Sequence, residues 1–324
     1  MRRALLILLC LAMLAPAPAA AQAGPSGLRD LISRFRGEVA LLDLLSSPDL
    51  DRATPYVYKV IGETELKLYV FEPEDRPESE PLPAIVFFFG GAWTTGRVTQ
   101  FVPQAEYLAG RGMVAIVADY RVALRHGATW FDSVRDAKSA IRLVRQHADE
   151  LGIDPHRIVA AGGSAGGHLA AAAALVQGYD DEDGSVSARP DVLVLFNPAL
   201  DLTAFTVPEH WMDDVSEISP LHLVSEGAPP TLILHGTADA VVPFGQAVQF
   251  CAAMHELGNR CELEAYPGRG HGFFNYSPNS GDDFADTLRR VDRFLVSGVF
   301  GASCVAGIFR LSNEARLQDV GDRR

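Results

Sequence analysis

The sequence predicts an α/β fold: a mostly parallel, doubly wound sheet with helices on both faces and a small cap segment. Three observations carry this expectation. Six short runs are rich in apolar residues, as strands buried on both faces require. Stretches of helical length separate most of them, and the resulting β-α-β-α order implies parallel strands joined by crossovers. At 324 residues, 48% hydrophobic and 21% charged, the chain suffices for one large core, and no shift in composition divides it.

The first 23 residues read as a signal peptide. Arg2 and Arg3 precede an apolar run at 4–14, and Ala21-Gln22-Ala23 offers a small-residue cleavage site before Gly24. The run is too short for a comfortable membrane span, so the expected location is periplasmic or extracellular, with no stable span in the mature chain. The main domain is expected over 24–296. Apolar residues at helical spacing over 28–45 predict a helix. Alternating segments at 56–61 and 65–71 predict an antiparallel pair turning at Gly62-Glu63, and 72–83 reads as a solvated Pro- and Glu-rich loop.

The apolar runs follow at 84–89, 113–118, 157–161, 192–196, 231–234 and 261–266. Helices are expected at 100–110, 130–151, 165–177, 245–257 and 282–296. The interval 201–227 has no period and carries Phe205, His210, Trp211 and Met212. It is long for an ordinary connection and reads as a cap, with Phe205, Trp211 and Met212 as candidate pocket residues; an irregular surface loop is the alternative. The tail at 297–324 has no place in the sheet and is expected to be peripheral or poorly ordered.

A net charge of −13 argues against an extended nucleic-acid surface. No cluster of His, Cys and carboxylates has metal-ligand spacing, so neither metal nor cofactor is implied. Of four cysteines, Cys10 lies in the signal segment. Cys251, late in a helix, and Cys261, opening the next strand, suit a disulfide clip in an oxidising compartment. Two buried thiols are the alternative, and Cys304 is left unpaired in either case.

Gly162-Gly163-Ser164-Ala165-Gly166 matches G-x-S-x-G, a weak signal alone in a glycine-rich chain. Here an apolar strand enters it and an alanine-rich helix leaves it, the strand–turn–helix setting that raises a serine nucleophile at the sheet edge. A serine hydroxyl needs an adjacent base near neutral pH. Among nine histidines, His168 points away down the helix, His235 ends an apolar strand, and His147, His156, His222 and His255 lack a flexible presentation. His126 and His210 precede the acid candidate. His271, in Gly268-Arg269-Gly270-His271-Gly272-Phe273 after the last strand, is the best base. In the order Ser, Asp, His, the acid is Asp239, which closes the strand at 231–234; Asp201 is the second candidate.

With these residues in place, the chain resembles esterases and lipases of the α/β-hydrolase superfamily, close to the hormone-sensitive-lipase-like and acetyl-esterase groups. The resemblance runs over 56–295 and rests on Phe89-Gly90-Gly91-Ala92-Trp93, Asp119-Tyr120-Arg121, the Ser164 elbow, Asp239 and His271. It implies an oxyanion hole from the backbone N–H groups of Gly91, Ala92 and Ala165. Phe89 replaces the family's His, and Ala92 replaces a Gly; backbone donors survive both changes. Arg121 reads as braced in an ion pair.

The expected reaction is two-step ester hydrolysis through an acyl-enzyme, with a small-molecule or carbohydrate ester as substrate. A prolyl-oligopeptidase-like peptidase is the rival enzyme, although the chain has no room for a large gating domain. A non-catalytic binding protein on the same scaffold is the rival of another class.

Overall fold

The computed structural model describes residues 49–74, 76, 80–182, 184–205, 214–277 and 282–300. The expected signal segment, the helix expected at 28–45, Trp211, Met212, Cys304 and the tail from 301 lie outside the described residues.

Among the described residues, eight strands form one sheet: β1 (Thr54–Ile61), β2 (Thr64–Phe71), β3 (Leu82–Phe88), β4 (Val114–Ala118), β5 (Ile153–Gly163), β6 (Val192–Phe196), β7 (Thr231–Gly236) and β8 (Cys261–Tyr266). Their order is β1-β2-β4-β3-β5-β6-β7-β8. β1 pairs antiparallel with β2, and β2 with β4, while every later pairing is parallel. A hairpin can join β1 to β2 because Ile61 faces Thr64, and Gly62, at φ +58°, supplies the left-handed turn residue. β5 begins earlier than its apolar run, because polar Asp154 and His156 occupy its entry, where Ile153 pairs with Leu82.

Five helices of eight or more residues among those described flank the sheet: α1 (Val102–Ala109), α2 (Trp130–Gln146), α3 (Ala165–Leu175), α4 (Phe244–Glu256) and α5 (Asp283–Arg293). A reciprocal cap starts α2: Thr129 Oγ1 accepts from Asp132 N while Asp132 accepts from Thr129 N. The helix expected to run through 151 pauses at His147; a short turn, Ala148–Leu151, then ends at left-handed Gly152. Alternate strand residues feed two buried layers. Ala84, Val86 and Phe88 pack with α2, α3 and α4, whereas Ile85 and Phe87 pack with α1 and α5. Helices therefore cover both faces, as the apolar runs require.

The cap interval lacks a helical period because its described parts are 3-10 turns: Leu202–Ala204, Val215–Ile218 and Pro220–Leu223. Leu202, Phe205, Val215 and Ile218 are buried in the first layer. The tail boundary also moves. α5 passes into a wider helical turn, Phe294–Val299, and Val299 and Phe300 pack against the second layer instead of leaving the surface. A disulfide joins Cys251 of α4 to Cys261 of β8, with Cα atoms 5.3 Å apart. Among the described residues, no helix is long and apolar enough to cross a membrane.

Candidate active site

β5 ends at Gly163 and α3 begins at Ala165, leaving Ser164 in the turn at φ +55°, ψ −120°. A non-glycine residue holds positive φ at a cost of roughly 1–3 kcal/mol, which the surroundings must impose. They do so by close approach. A Cβ at Gly162 would strike Gly166 O and come within 2.6 Å of Phe88 O, and one at Gly166 would strike Phe88 O. The glycines of the motif thus let the turn press against the end of β3. Ser164 N donates to Phe196 O at 2.9 Å, and His168 N donates to Ser164 O at 3.0 Å, fixing the turn from both sides.

His271 Nδ1 lies 2.8 Å from Asp239 Oδ2. Asp239 Oδ1 accepts from Val241 N at 2.8 Å and Val242 N at 2.9 Å. Burial alone would raise this carboxyl's pKa. Hydrogen bonds from His235 and His271, the charge of His271 and the Val242 N–H outweigh burial and hold it well below the usual carboxylate range. Asp201 is engaged elsewhere: it accepts from Thr203 Oγ1 at 2.6 Å and lies 3.1 Å from His222 Nε2.

Two neighbours complete this pair: His235, which the sequence places only at the end of an apolar strand, and Asn197, which sequence reasoning missed. His235 is fully buried, with Nε2 3.0 Å from Val242 O and 3.2 Å from Asp239 Oδ2. A carbonyl only accepts, so Nε2 carries the proton and shares it between Val242 O and the carboxylate. Its position four residues before Asp239 in one tight turn was the available signal. Asn197, buried at φ +35°, places Nδ2 3.1 Å from Nδ1 and 3.2 Å from Nε2 of His271. An in-plane atom equidistant from both nitrogens at this range would overlap the ring carbon between them. The amide therefore packs over the imidazole face. A polar residue closing the apolar β6 run was the only trace in the sequence.

The loop after β3 carries the expected oxyanion donors. Gly91 (φ +129°), Ala92 (φ +56°) and Trp93 (φ +54°) make a tight turn, closed by Thr94 N and Thr95 N donating to Gly91 O at 3.0 Å. The N–H groups of Gly91 and Ala92 donate to no acceptor among the described residues. Ala165 opens α3, where a helix leaves its first N–H groups without helical partners. Phe89 stacks on Tyr120 with ring centroids 4.1 Å apart, and Tyr120 Oη donates to Phe89 O at 2.7 Å. Aromatic stacking thus anchors the strand end. Trp93 Nε1 donates to His168 Nδ1 at 3.1 Å, and His168 Nε2 faces Ile218 O at 2.8 Å. These partners fix neutral His168 with its proton on Nε2, and burial lowers its pKa to about 4.

Arg121 is bidentate on Asp136, at 2.7 and 2.8 Å, so Asp119-Tyr120-Arg121 braces the loop below the site. Phe205 is 6% exposed and packed in the core layer. Among the described residues, no group of three His, Cys or carboxylate side chains could hold a metal ion.

The family described as BD-FAE matches residues 68–206 and 197–254. Esterase LipC of Mycobacterium tuberculosis is 33% identical over 234 residues, covering 64% of this chain and 56% of that protein. An acetylxylan esterase of Xylanibacter ruminicola is 28% identical, covering 66% of this chain and 47% of its own length. The chain thus spans about half the length of the curated relatives it matches. Among solved structures, Thermogutta terrifontis esterase 2 phosphorylated by paraoxon is 47% identical with a TM-score of 0.75, covering 79% of this chain and 97% of that one. The butyrate-bound form of that esterase superposes with a TM-score of 0.73 at 45% identity, covering 79% of this chain and 97% of that one. The match to more than half of the chain, on this sheet and elbow, shows that the protein belongs to the BD-FAE family of hormone-sensitive-lipase-like α/β-hydrolases.

Proposed function

We propose that this chain is an exported serine carboxylesterase acting on small esters with short acyl groups, acyl groups on carbohydrate among them. Ser164 attacks the ester carbonyl while His271 Nε2 takes its proton and Asp239 steadies the imidazolium. The N–H groups of Gly91, Ala92 and Ala165 receive the oxyanion. The alcohol leaves with the proton from His271, which then activates water to release the acid and free Ser164. The observation that carries this reading is the 2.8 Å pairing of His271 with a buried, ionised Asp239 in the same site as a serine held at positive φ. The short-acyl assignment is supported by a related esterase that binds butyrate and another named for acetylxylan. Export is supported by the Arg2-Arg3 and apolar leader.

The test is turnover of p-nitrophenyl esters from acetate to laurate, with paraoxon as inactivator. Ser164→Ala and His271→Ala should each lower kcat by roughly 10⁴-fold or more, and the double variant should be scarcely worse, since both remove one step. Asp239→Asn should lose somewhat less, and Asp201→Asn should stay near the parent. Paraoxon should phosphorylate Ser164. Retained turnover in Ser164→Ala would end the proposal.

A further inference from the structure

Gln100 sits in a 3-10 turn, Val98–Phe101, that leads into α1, and it touches two loops of the site. Its Oε1 accepts from Gly90 N at 2.6 Å, immediately before the expected oxyanion donors. Its Nε2 donates to Asn275 Oδ1 at 2.9 Å, on the loop that carries His271. A Cβ added to Gly90 would lie 3.4 Å from Ser164 Cβ and 3.5 Å from Gln100 Oε1, so the glutamine reaches the immediate surroundings of the nucleophile. One turn on, buried Gln104 donates from Nε2 to Phe274 O at 3.2 Å, and Asn275 N donates to Gly272 O at 3.1 Å. The α1 edge therefore grips the base loop at two successive residues, and only Gln100 also grips the oxyanion loop.

We infer that Gln100 is a positioning residue, a strut that sets the oxyanion loop and the base loop at one fixed separation. The inference rests on the esterase reading above. The loop needs such a strut because Phe89 offers a ring and no side-chain hydrogen bond to its own turn, and because Gly91 and Ala92 must keep their N–H groups free for substrate. A donor–acceptor side chain satisfies Gly90 N and pulls on Asn275 without using either. A shift of about 1 Å in such a frame can lower a rate by roughly a hundredfold.

The experiment compares the full chain with Gln100→Met, which keeps the volume and removes both hydrogen bonds, and with Gln100→Glu. Gln100→Met should lower kcat on p-nitrophenyl acetate by about ten- to a hundredfold with KM little changed, and weaken inhibition by phenylboronic acid, a tetrahedral oxyanion mimic, in parallel. Gln100→Glu supplies the conservative rescue. Protonated, its carboxyl accepts from Gly90 N and donates to Asn275; ionised, it cannot donate and sets a negative charge beside the oxyanion. Its kcat relative to the parent should therefore rise as pH falls from 8 towards 5. Parent-like kcat and boronate affinity in folded Gln100→Met would overturn the inference alone, and so would a flat ratio in Gln100→Glu if Gln100→Met fails to fold. A parent chain that neither hydrolyses the ester nor reacts with paraoxon would overturn the esterase reading, and the inference with it.

Discussion

Ser164, Ala92 and Trp93 hold φ of +55°, +56° and +54°, a region in which L side chains crowd their own backbone. For Ser164 the conformation suits the proposed nucleophile, and the flanking close contacts at Gly162 and Gly166 sustain it. Ala92 has no such role for its methyl. Left-handed backbone is penalised by roughly 1–2 kcal/mol for alanine but not for glycine. Glycine returns part of that gain through the freedom of its unfolded chain. Ala92→Gly should therefore raise the denaturant midpoint by an amount equivalent to about 0.5–1 kcal/mol. An unchanged or lower midpoint would mean that the methyl packs favourably enough to outweigh its backbone.

Elements reach the site through their ends. β5, β6 and β7 terminate at Gly163, Phe196 and Gly236, and the next few residues are Ser164, Asn197 and Asp239. Parallel pairing brings these ends to one edge of the sheet, which is why three turns far apart in sequence converge. α3 follows the elbow with Ala170 to Ala173 buried, and small side chains let it lie close between the sheet and α2. At the opposite edge, where Cys261 pairs with Thr231 at the start of β7, the Cys251–Cys261 disulfide clips α4 to β8 across a separation of 10 residues. Closing so short a loop stabilises by about 2–3 kcal/mol in the chain-entropy model. Cys251→Ser with Cys261→Ser should lower unfolding free energy by that order. Thiol labelling of denatured, unreduced parent should modify neither residue, and labelling of both would dismiss the bridge.

At the scale of the molecule, His168 joins three regions: Trp93 of the loop after β3, α3 behind Ser164, and Ile218 of the 201–227 interval. Its folded-state pKa is lowered from 6.5 to about 4, because the buried ring has no room for charge. The unfolded chain therefore binds more protons between these values, and stability falls as pH drops from about 6.5 to about 4. The contribution of this group is complete above 6.5 and amounts to about 3 kcal/mol at 1.36 kcal/mol per pKa unit. Chemical denaturation at steps between pH 7 and 4 should show that slope in the parent and lose it in His168→Gln. An equal slope in both would assign acid sensitivity to other groups instead, His126 and the carboxylates among them.

The sequence by itself determined the sheet, the sides its strands bury, the elbow at Ser164 and the chain order Ser164, Asp239, His271. Each of these is local: an apolar run, a period, a glycine in a turn, a residue just past a strand. Its bounds slipped where local pattern is silent, as at the polar entry of β5 and the continuation of α5 past 296. Only the tertiary structure decided that Asp239 takes a second histidine, that Asn197 covers the His271 ring, that Tyr120 carries Phe89, and that Gln100 meets Asn275 across 175 residues. These contacts depend on strand register and on where each loop lands, which no run of neighbouring residues encodes. A hydrogen bond is effective over a few tenths of an ångström, whereas apolar burial rewards any arrangement that excludes water. Pattern therefore reveals the layers of the fold, and folding alone reveals the partners within the site.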